Sequence, residues 1–173
     1  MSAAFEIAVL EAPVAEPALD QLAEVLVDCV EGGASVSFMS PFSHAEALAF
    51  FRKVAASVAS NDTVLLAARL EGRIVGTVQL GLDTPPNQPH RADIKKLLVH
   101  RSVRKRGIGE QLMARAEREA KARSRTLLVL DTASGDAERL YERSGWQRTG
   151  VIPDYALWPG GGFCDTAIFW KRL

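Results

Sequence analysis

Hydrophobic residues recur along the chain with two spacings, one typical of strands and the other of helices. Short apolar runs predict seven strands, at 5–10, 63–70, 73–82, 92–100, 127–131, 147–152 and 164–171. Apolar positions three or four residues apart predict four helices, the first carrying Leu19, Leu22 and Leu26 on one face. The predicted order is strand, two helices, three strands, helix, strand, helix and two strands.

Turn and capping residues set several boundaries. Gly32-Gly33 ends the first helix, and Ser43 with Glu46 has the capping-box spacing that begins the second. Glu71-Gly72 predicts a hairpin between the second and third strands. The continuous apolar run at 127–131 predicts a strand buried on both faces, and a fourth helix is expected over 137–144. The segment from 153 to 163 is rich in turn residues and predicts a loop between the closing strands.

The loop from 33 to 42 is unusually apolar for a connection. Two interpretations remain open. It is either a lid over the core or one wall of a substrate pocket, and in the second case Ser35 and Phe38 are the candidate contacts.

A basic turn lies between the strand that ends in Leu97-Leu98-Val99 and the helix that follows. The amides at a helix N-terminus are unpaired and carry about half a positive charge, so they bind phosphate oxygens. Glycine lets a bulky ligand approach the backbone, and nearby cations strengthen the attraction. The turn therefore predicts a polyphosphate-binding loop. Its sequence matches neither the P-loop motif nor the dinucleotide-binding fingerprint. The candidate residues are Arg104, Lys105, Arg106, Gly107, Ile108, Gly109, Glu110 and Gln111.

Composition narrows the function classes. The 173 residues fit one domain, and 21 basic residues balance 21 acidic ones, so no global charge favours nucleic acid or a membrane surface. The two cysteines, Cys29 and Cys164, have no zinc or disulfide spacing, and Cys29 falls on the apolar face of the first helix. No metal is expected, no apolar run is long enough to span a membrane, and a cytoplasmic location is the expectation.

Two motifs resemble those of the GCN5-related N-acetyltransferases, the GNAT superfamily. Arg104-x-x-Gly107-x-Gly109 after a hydrophobic strand is similar to the family's acetyl-CoA-binding motif. Ala137-x-x-Leu140-Tyr141 with Gly145-Trp146 is similar to a second signature, with Trp in place of the usual Phe. Ser134 departs from the Asn of many members, which puts one contact to the pantetheine arm in doubt. The segment 32–39 and the end of the fifth strand are similar to the tabtoxin-resistance type of acetyltransferase.

The resemblance implies the fold and the cofactor site. We expect a single GNAT-like domain over residues 1–173, of α/β (mixed α+β) class, with a twisted seven-stranded mixed sheet, four helices, and a fourth and fifth strand that splay apart. The free edge of the fourth strand would hold the pantetheine, with the amides of Leu98 and Val99 nearest the thioester. The basic turn would hold the pyrophosphate, and Ala137 and Leu140 would complete the cofactor site.

The resemblance also suggests catalytic roles. Tyr141 is the position that the family uses as the general acid toward the thiolate, and a phenol with a pKa near ~10 is a plausible donor; the alternative is a core aromatic. Two carboxylates could receive the amine proton, Asp93 upstream of the cofactor edge and Asp131 at the end of the fifth strand. Asp131 could also bind the substrate ammonium. Each has a structural alternative, Asp93 as a solvated strand residue and Asp131 as a cap of the following turn.

These observations predict transfer of an acetyl group from acetyl-CoA to the primary amine of a small molecule, such as an amino-acid-like toxin or antimetabolite, by direct attack in a ternary complex. The alternatives are acetylation of protein N-termini or lysines, and a CoA-binding regulator without activity. Because the family often pairs through its closing strands, a homodimer is a further expectation.

Overall fold

The structure, a computed structural model, describes residues 5–173. In chain order the elements are β1 (Phe5–Val9), α1 (Glu16–Glu31), α2 (His44–Ala59), β2 (Thr63–Leu70), β3 (Arg73–Gly81), β4 (Arg91–Val99), a short 3-10 helix (Arg101–Val103), α3 (Ile108–Ala122), β5 (Leu127–Thr132), α4 (Gly135–Arg143), β6 (Gln147–Leu157) and β7 (Phe163–Arg172). The predicted order of strands and helices is confirmed. The 3-10 helix was not predicted.

The seven strands form one mixed sheet in the order β1-β2-β3-β4-β5-β7-β6. The β4–β5 pair is parallel and extends over only three residue pairs, from Arg91 opposite Leu127 to Asp93 opposite Val129. Beyond these pairs β4 continues to Val99 and β5 to Thr132 without pairing to each other. The expected gap between the fourth and fifth strands is therefore present, and it opens toward the C-terminal ends of both.

The two faces of the sheet are covered differently. The helix α3 packs against β2, β3 and β4 on one face, over a core that includes Leu80, Leu112, Leu128 and Leu130. On the other face α1 and α2 cover β2, β3 and β4, around Phe51, Leu65 and Leu98. This second face is less covered beyond β4, so the gap between β4 and β5 is accessible from the α1–α2 side.

The prediction that the fifth strand is buried on both faces is wrong. Leu128 and Leu130 are buried against the α3 side, but Leu127 and Val129 are only half-buried and Asp131 is exposed. Because side chains alternate between the faces of a strand, these three lie on the α1–α2 side, which is the open one here.

The closing strands are longer than predicted. β6 continues through Pro153 to Leu157, where the sequence predicted a loop, and its pairing with β7 shifts register between Ile152 and Ala156. β6 is the edge of the sheet, so a proline without an N–H is tolerated there, and the irregularity accommodates Asp154 with φ of +51°. The turn that the sequence predicted over 153–163 is therefore limited to residues 158–162, between β6 and β7.

Most predicted boundaries agree with the structure. The Ser43–Glu46 capping box is formed at the start of α2, and Gly32 ends α1. The hairpin turn has positive φ at both Glu71 and Gly72, as a two-residue turn of this kind requires. The helix α4 begins at Gly135, two residues earlier than predicted, because the hydroxyl of Ser134 accepts a hydrogen bond from the Ala137 amide.

Gly76 of β3 tests the packing of α3 on the sheet. A Cβ at this position would lie 3.1 Å from the Leu98 carbonyl oxygen and 3.3 Å from side-chain atoms of Ile108 and Leu112. We expect Gly76→Val to lower the free energy of unfolding by about 1–3 kcal/mol in urea denaturation, because the strand pairing and the core leave no room for the side chain. The control is Gly150→Val, where a Cβ would meet no atom within 4 Å. Equal losses in the two variants would contradict this account of the packing.

Candidate active site

The turn before α3 exposes a set of unpaired backbone amides. Gly107 is the N-cap with φ of +80°, and no side chain caps this helix. The first helical hydrogen bond runs from the Gln111 amide to the Gly107 carbonyl oxygen, at 3.1 Å. The amides of the first helical turn before Gln111 therefore have no acceptor within the helix. Lys105 also has positive φ, and both it and Arg106 are exposed beside these amides.

Arg104 has a different role from its two basic neighbours. Its Nε donates a hydrogen bond to the Val99 carbonyl oxygen at 3.0 Å, and its Nη2 lies 3.6 Å from the sulfur of Cys29. The guanidinium group therefore ties the turn to the end of β4. Burial raises the pKa of the Cys29 thiol despite this cation, so Cys29 is an inert core residue, as the sequence indicated.

A second anchor holds the start of the turn, and sequence analysis missed it. Asp28 of α1 accepts hydrogen bonds from the backbone N–H of Arg101 at 2.8 Å and from its Nε at 2.9 Å, and His100 lies 3.5 Å away. Burial acts to raise the pKa of Asp28, but these hydrogen bonds and positive charges outweigh it and lower the pKa. The two partners are 73 residues apart in the chain, and neither belongs to a motif.

The two sequence motifs meet at Gly109. A Cβ on Gly109 would lie 3.4 Å from Leu140 of α4 and 4.0 Å from Val99 of β4. The N-terminus of α3 therefore lies in van der Waals range of both α4 and the end of β4. Leu98 is buried on the opposite face of β4, whereas Val99, Ala137 and Leu140 are half-buried around the end of the gap.

Tyr141 projects from α4 into the core beside the gap. Its side chain is 4% exposed, and its ring packs against Trp146 and Phe169 with centroids 5.9 and 5.6 Å apart. Burial, and then the negative charge of Asp131, raise the pKa of the Tyr141 hydroxyl well above its ordinary value, so the phenol is neutral at neutral pH. Tyr141 is therefore a buried aromatic residue within electrostatic reach of Asp131, and its role as the general acid stays a prediction.

The two candidate carboxylates occupy different parts of the gap. Asp93 lies at the last paired position of β4 and β5, and Arg91 binds its carboxylate. Asp131 lies two residues beyond the paired Val129, where the strands have separated, and accepts a hydrogen bond from the Thr166 hydroxyl at 3.0 Å. Asp93 is thus at the closed end of the gap and Asp131 in its open part.

The loop between α1 and α2 crosses the open side of the gap. Ser35 Oγ donates to the Leu157 carbonyl oxygen at 3.0 Å, and the Ser40 amide donates to the Pro159 carbonyl oxygen at 2.9 Å. On the other side, Lys96 Nζ of β4 donates to Ser37 Oγ at 2.9 Å. The loop is therefore fastened both to β4 and to the β6–β7 hairpin.

Phe38 belongs to the part of this loop that packs on the protein. Its ring lies 4.5 Å from that of Phe42 and 5.3 Å from that of Phe50, between ring centroids. Phe42 is buried in the core formed by α1 and α2. One part of the loop thus covers the core and another spans the gap, and its role as a wall of the substrate pocket stays a prediction.

Lys96 is a second residue that sequence analysis missed. It has φ of +52° at an irregularity in the β3–β4 pairing, and it is half-buried. Burial lowers the pKa of its ammonium group, and the negative charge of Asp131 partly offsets this effect. No local pattern marks Lys96, because its position depends on the bulge that turns it toward the gap.

Residues 5–173 contain no group of three or more His, Cys, Asp or Glu side chains arranged to hold a metal ion. No helix in the same range has the length and apolar character needed to cross a membrane.

Comparison with known proteins places this geometry in a family. An IAA acetyltransferase of Azospirillum brasilense is 31% identical over 114 residues, which are 65% of this chain and 72% of that protein. A ribosomal-protein-alanine N-acetyltransferase from Brucella melitensis has the same fold, with a TM-score of 0.80 and 21% identity over 98% of this chain and 99% of that chain. A phosphinothricin acetyltransferase from Sinorhizobium meliloti, solved in complex with AcCoA, gives a TM-score of 0.79 and 18% identity, over 100% of this chain and 89% of that chain.

The sequence profile of the Acetyltransferase (GNAT) family matches residues 23–146. This range runs from α1 to Trp146 and includes the basic turn, both sides of the gap and Tyr141. The chain belongs to the Acetyltransferase (GNAT) family.

Proposed function

We propose that this chain transfers an acetyl group from acetyl-CoA to the primary amine of a small molecule, by direct attack within a ternary complex. The observation that supports the proposal is that the gap in the sheet and the exposed helix N-terminus adjoin each other. The gap between β4 and β5 leads directly to the uncapped amides at the start of α3. A thioester attached to a diphosphate needs such a pair of sites, one for each end.

The residues at the turn fit a diphosphate. The amides after Gly107 have no internal acceptor, Lys105 and Arg106 are exposed beside them, and a side chain at Gly107 would enter open space. Arg104 supports this surface by holding the turn to Val99. Glu110 and Gln111 are exposed in the first helical turn, where their backbone amides rather than their side chains are expected to matter. The unpaired edge of β4 over Leu97–Val99 would accept the pantetheine, with Ala137 and Leu140 beside it.

The reaction requires a neutral amine and a proton for the departing thiolate. Asp131 is the better placed of the two candidate bases, because it lies in the open part of the gap, whereas Asp93 is bound by Arg91. Tyr141 supplies the proton to the thiolate, since burial and the charge of Asp131 keep its hydroxyl protonated. The Val99 amide, on the unpaired side of β4, stabilises the negative charge that develops on the thioester carbonyl oxygen, whereas the Leu98 amide faces Thr77 of β3.

The fastened α1–α2 loop favours a small acceptor over a protein chain. Its hydrogen bonds to the β6–β7 hairpin and to Lys96 narrow the side from which an amine would enter, with Ser35 and Phe38 among its residues. The resemblance to the tabtoxin-resistance type, and the name of the phosphinothricin acetyltransferase with the same fold, support an amino-acid-like acceptor. A cytoplasmic location and pairing of two copies remain predictions from the sequence.

The function is tested by measuring CoA binding together with thiol release from acetyl-CoA over a panel of small amines, a peptide amine and a lysine-containing protein. We expect CoA binding and turnover with one or more small amines. Turnover with the peptide or protein alone would favour the protein acetyltransferase. Binding without turnover for any amine would favour a regulator.

Gly107 tests the diphosphate site. Glu and Lys at this position share the strain of a positive φ but place opposite charges in the same open space. We expect Gly107→Glu to bind CoA at least about tenfold more weakly than Gly107→Lys, because one carboxylate repels phosphate where one ammonium attracts it. Isothermal titration calorimetry at constant ionic strength measures both. Equal CoA affinities of the two variants would contradict the assignment of the turn to the cofactor site.

Tyr141 tests the general acid. We expect Tyr141→Phe to lower kcat by roughly 100-fold, the usual contribution of a positioned acid, with the CoA dissociation constant unchanged. Steady-state kinetics and calorimetry separate the two effects. Tyr155→Phe is the matched control, because Tyr155 is 56% exposed on β6. A wild-type kcat in Tyr141→Phe would exclude the hydroxyl from the reaction.

A further inference from the structure

A cavity separate from the gap lies on the face of the sheet covered by α2. Its volume is about 290 Å³, and its apolar wall comes from Phe50 and Val54 of α2. Its polar lining is Lys53, Ser57, Thr63, Gln79, Lys95 and Lys96. None of these polar residues belongs to the two sequence motifs, and the reaction proposed above uses none of them.

All charged residues that line this cavity are positively charged. Three of its lining residues are lysines, and none is acidic. In the part of the chain that the structure describes, no carboxylate oxygen lies within 4.0 Å of any of the three ammonium groups. Lys96 donates a hydrogen bond to the neutral Ser37 hydroxyl, and Lys95 extends across Gly81, where a Cβ would lie 3.0 Å from its Nζ. The cavity therefore has positive charge without an internal counter-ion.

Gln79 contributes a hydrogen-bond donor without an acceptor to the lining of the cavity. Its side chain is 5% exposed, and its Nε2 is buried without a hydrogen-bond partner among residues 5–173. Gln79 lies opposite Lys95 in the β3–β4 pairing, between Val78 and Leu80 of the core on the other face, so its amide points toward α2. Buried donors in folded proteins are almost always paired, and each exception requires an explanation. A ligand oxygen in the cavity would supply the missing acceptor.

Lys96 connects this cavity to the reaction. It lines the cavity, and its ammonium is within electrostatic reach of Asp131 in the open part of the gap. A molecule in the cavity would therefore extend toward the proposed position of the acceptor amine. A carboxylate is the group that matches the lining, because it only accepts hydrogen bonds and carries the opposite charge.

We propose that this lysine cavity, formed by Lys53, Gln79, Lys95 and Lys96, binds a carboxylate of the acceptor, so that the substrate is an amine carrying an anionic group. The Gln79 amide donates one hydrogen bond to the carboxylate, and the lysines neutralise its charge. The apolar wall of Phe50 and Val54 contacts the carbon chain next to it. The inference rests on the proposed acetyl transfer for the identity of the ligand, but the anion site can be tested without it.

The direct test uses an anion that has no amine. Sodium propionate is titrated into the protein with sodium chloride at the same ionic strength as the reference, and the side-chain amide of Gln79 is followed by NMR. Its resonance is assigned by its disappearance in Gln79→Met. We expect a saturable shift with propionate and none with chloride. The absence of a shift with propionate would overturn the site, whatever the enzyme does with amines.

The kinetic test uses pairs of acceptors that differ in the anionic group alone. L-methionine is compared with 3-(methylthio)propylamine, and 2-aminoethylphosphonate with ethylamine. We expect kcat/KM at least tenfold higher for L-methionine than for its decarboxylated partner. A preference within the phosphonate pair alone would assign the site to phosphonate and overturn the carboxylate. Equal values within both pairs would overturn the inference while leaving acetyl transfer intact, and no turnover with any of the four would instead count against the proposed function.

Variants separate binding from a structural role. Gln79→Met removes the unpaired donor, so we expect a higher melting temperature together with an approximately tenfold smaller preference for L-methionine over its amine. Lys53→Met is expected to reduce the same preference by a similar factor through KM. Lys121→Met, at an exposed position in the last turn of α3, is the matched control and is expected to keep the wild-type preference. An unchanged preference in both Gln79→Met and Lys53→Met would contradict the proposal.

Discussion

The separation of β4 and β5 after three residue pairs is the constraint on which the rest of the structure depends. A parallel pair that parts in the middle of a sheet leaves backbone groups of Ile94–Val99 without a strand on the β5 side, and such groups must find other partners. No helix within the described part of the chain fills the opening, since α1 and α2 cover β2, β3 and β4. The unpaired edge of β4 is therefore available to an extended ligand. The two parts of the sheet on either side of the gap remain joined where β4 and β5 pair, over 91–93 and 127–129.

Contacts distant in sequence keep the gap and the basic turn in a fixed relation. Asp28 of α1 holds Arg101, Arg104 holds the Val99 carbonyl oxygen, and Gly109 lies beside both Leu140 and Val99. The turn itself contains two residues with positive φ, Lys105 and Gly107, the first of which is strained for a residue with a side chain. These anchors fix the direction in which the unpaired amides point, which a flexible glycine turn alone would not do.

How far the sequence could predict this site depends on how local each signal is. The turn at 104–109 and Tyr141 were found because glycine spacing and a helical motif are encoded within a few residues. Asp28, Lys96 and Gln79 were missed, because each acquires its role only through packing. The 3-10 helix and the passage of β6 through Pro153 were also missed, since one depends on a distant carboxylate and the other on being the edge of the sheet. Local conformation was thus predictable and tertiary placement was not, and the roles of the site residues stay predictions.

The charges in the gap link the two proposed sites. Asp131 helps to keep Tyr141 neutral and partly offsets the burial of Lys96, so one carboxylate influences both a proton donor and a cation. In the proposed complex the acceptor amine lies between Asp131 and Lys96. The carboxylate attracts its ammonium form, but the nearby Lys96 repels a second positive charge and so favours loss of the proton. Lys96 would therefore act on the acceptor twice, holding its carboxylate at one end and promoting the nucleophilic form of the amine at the other.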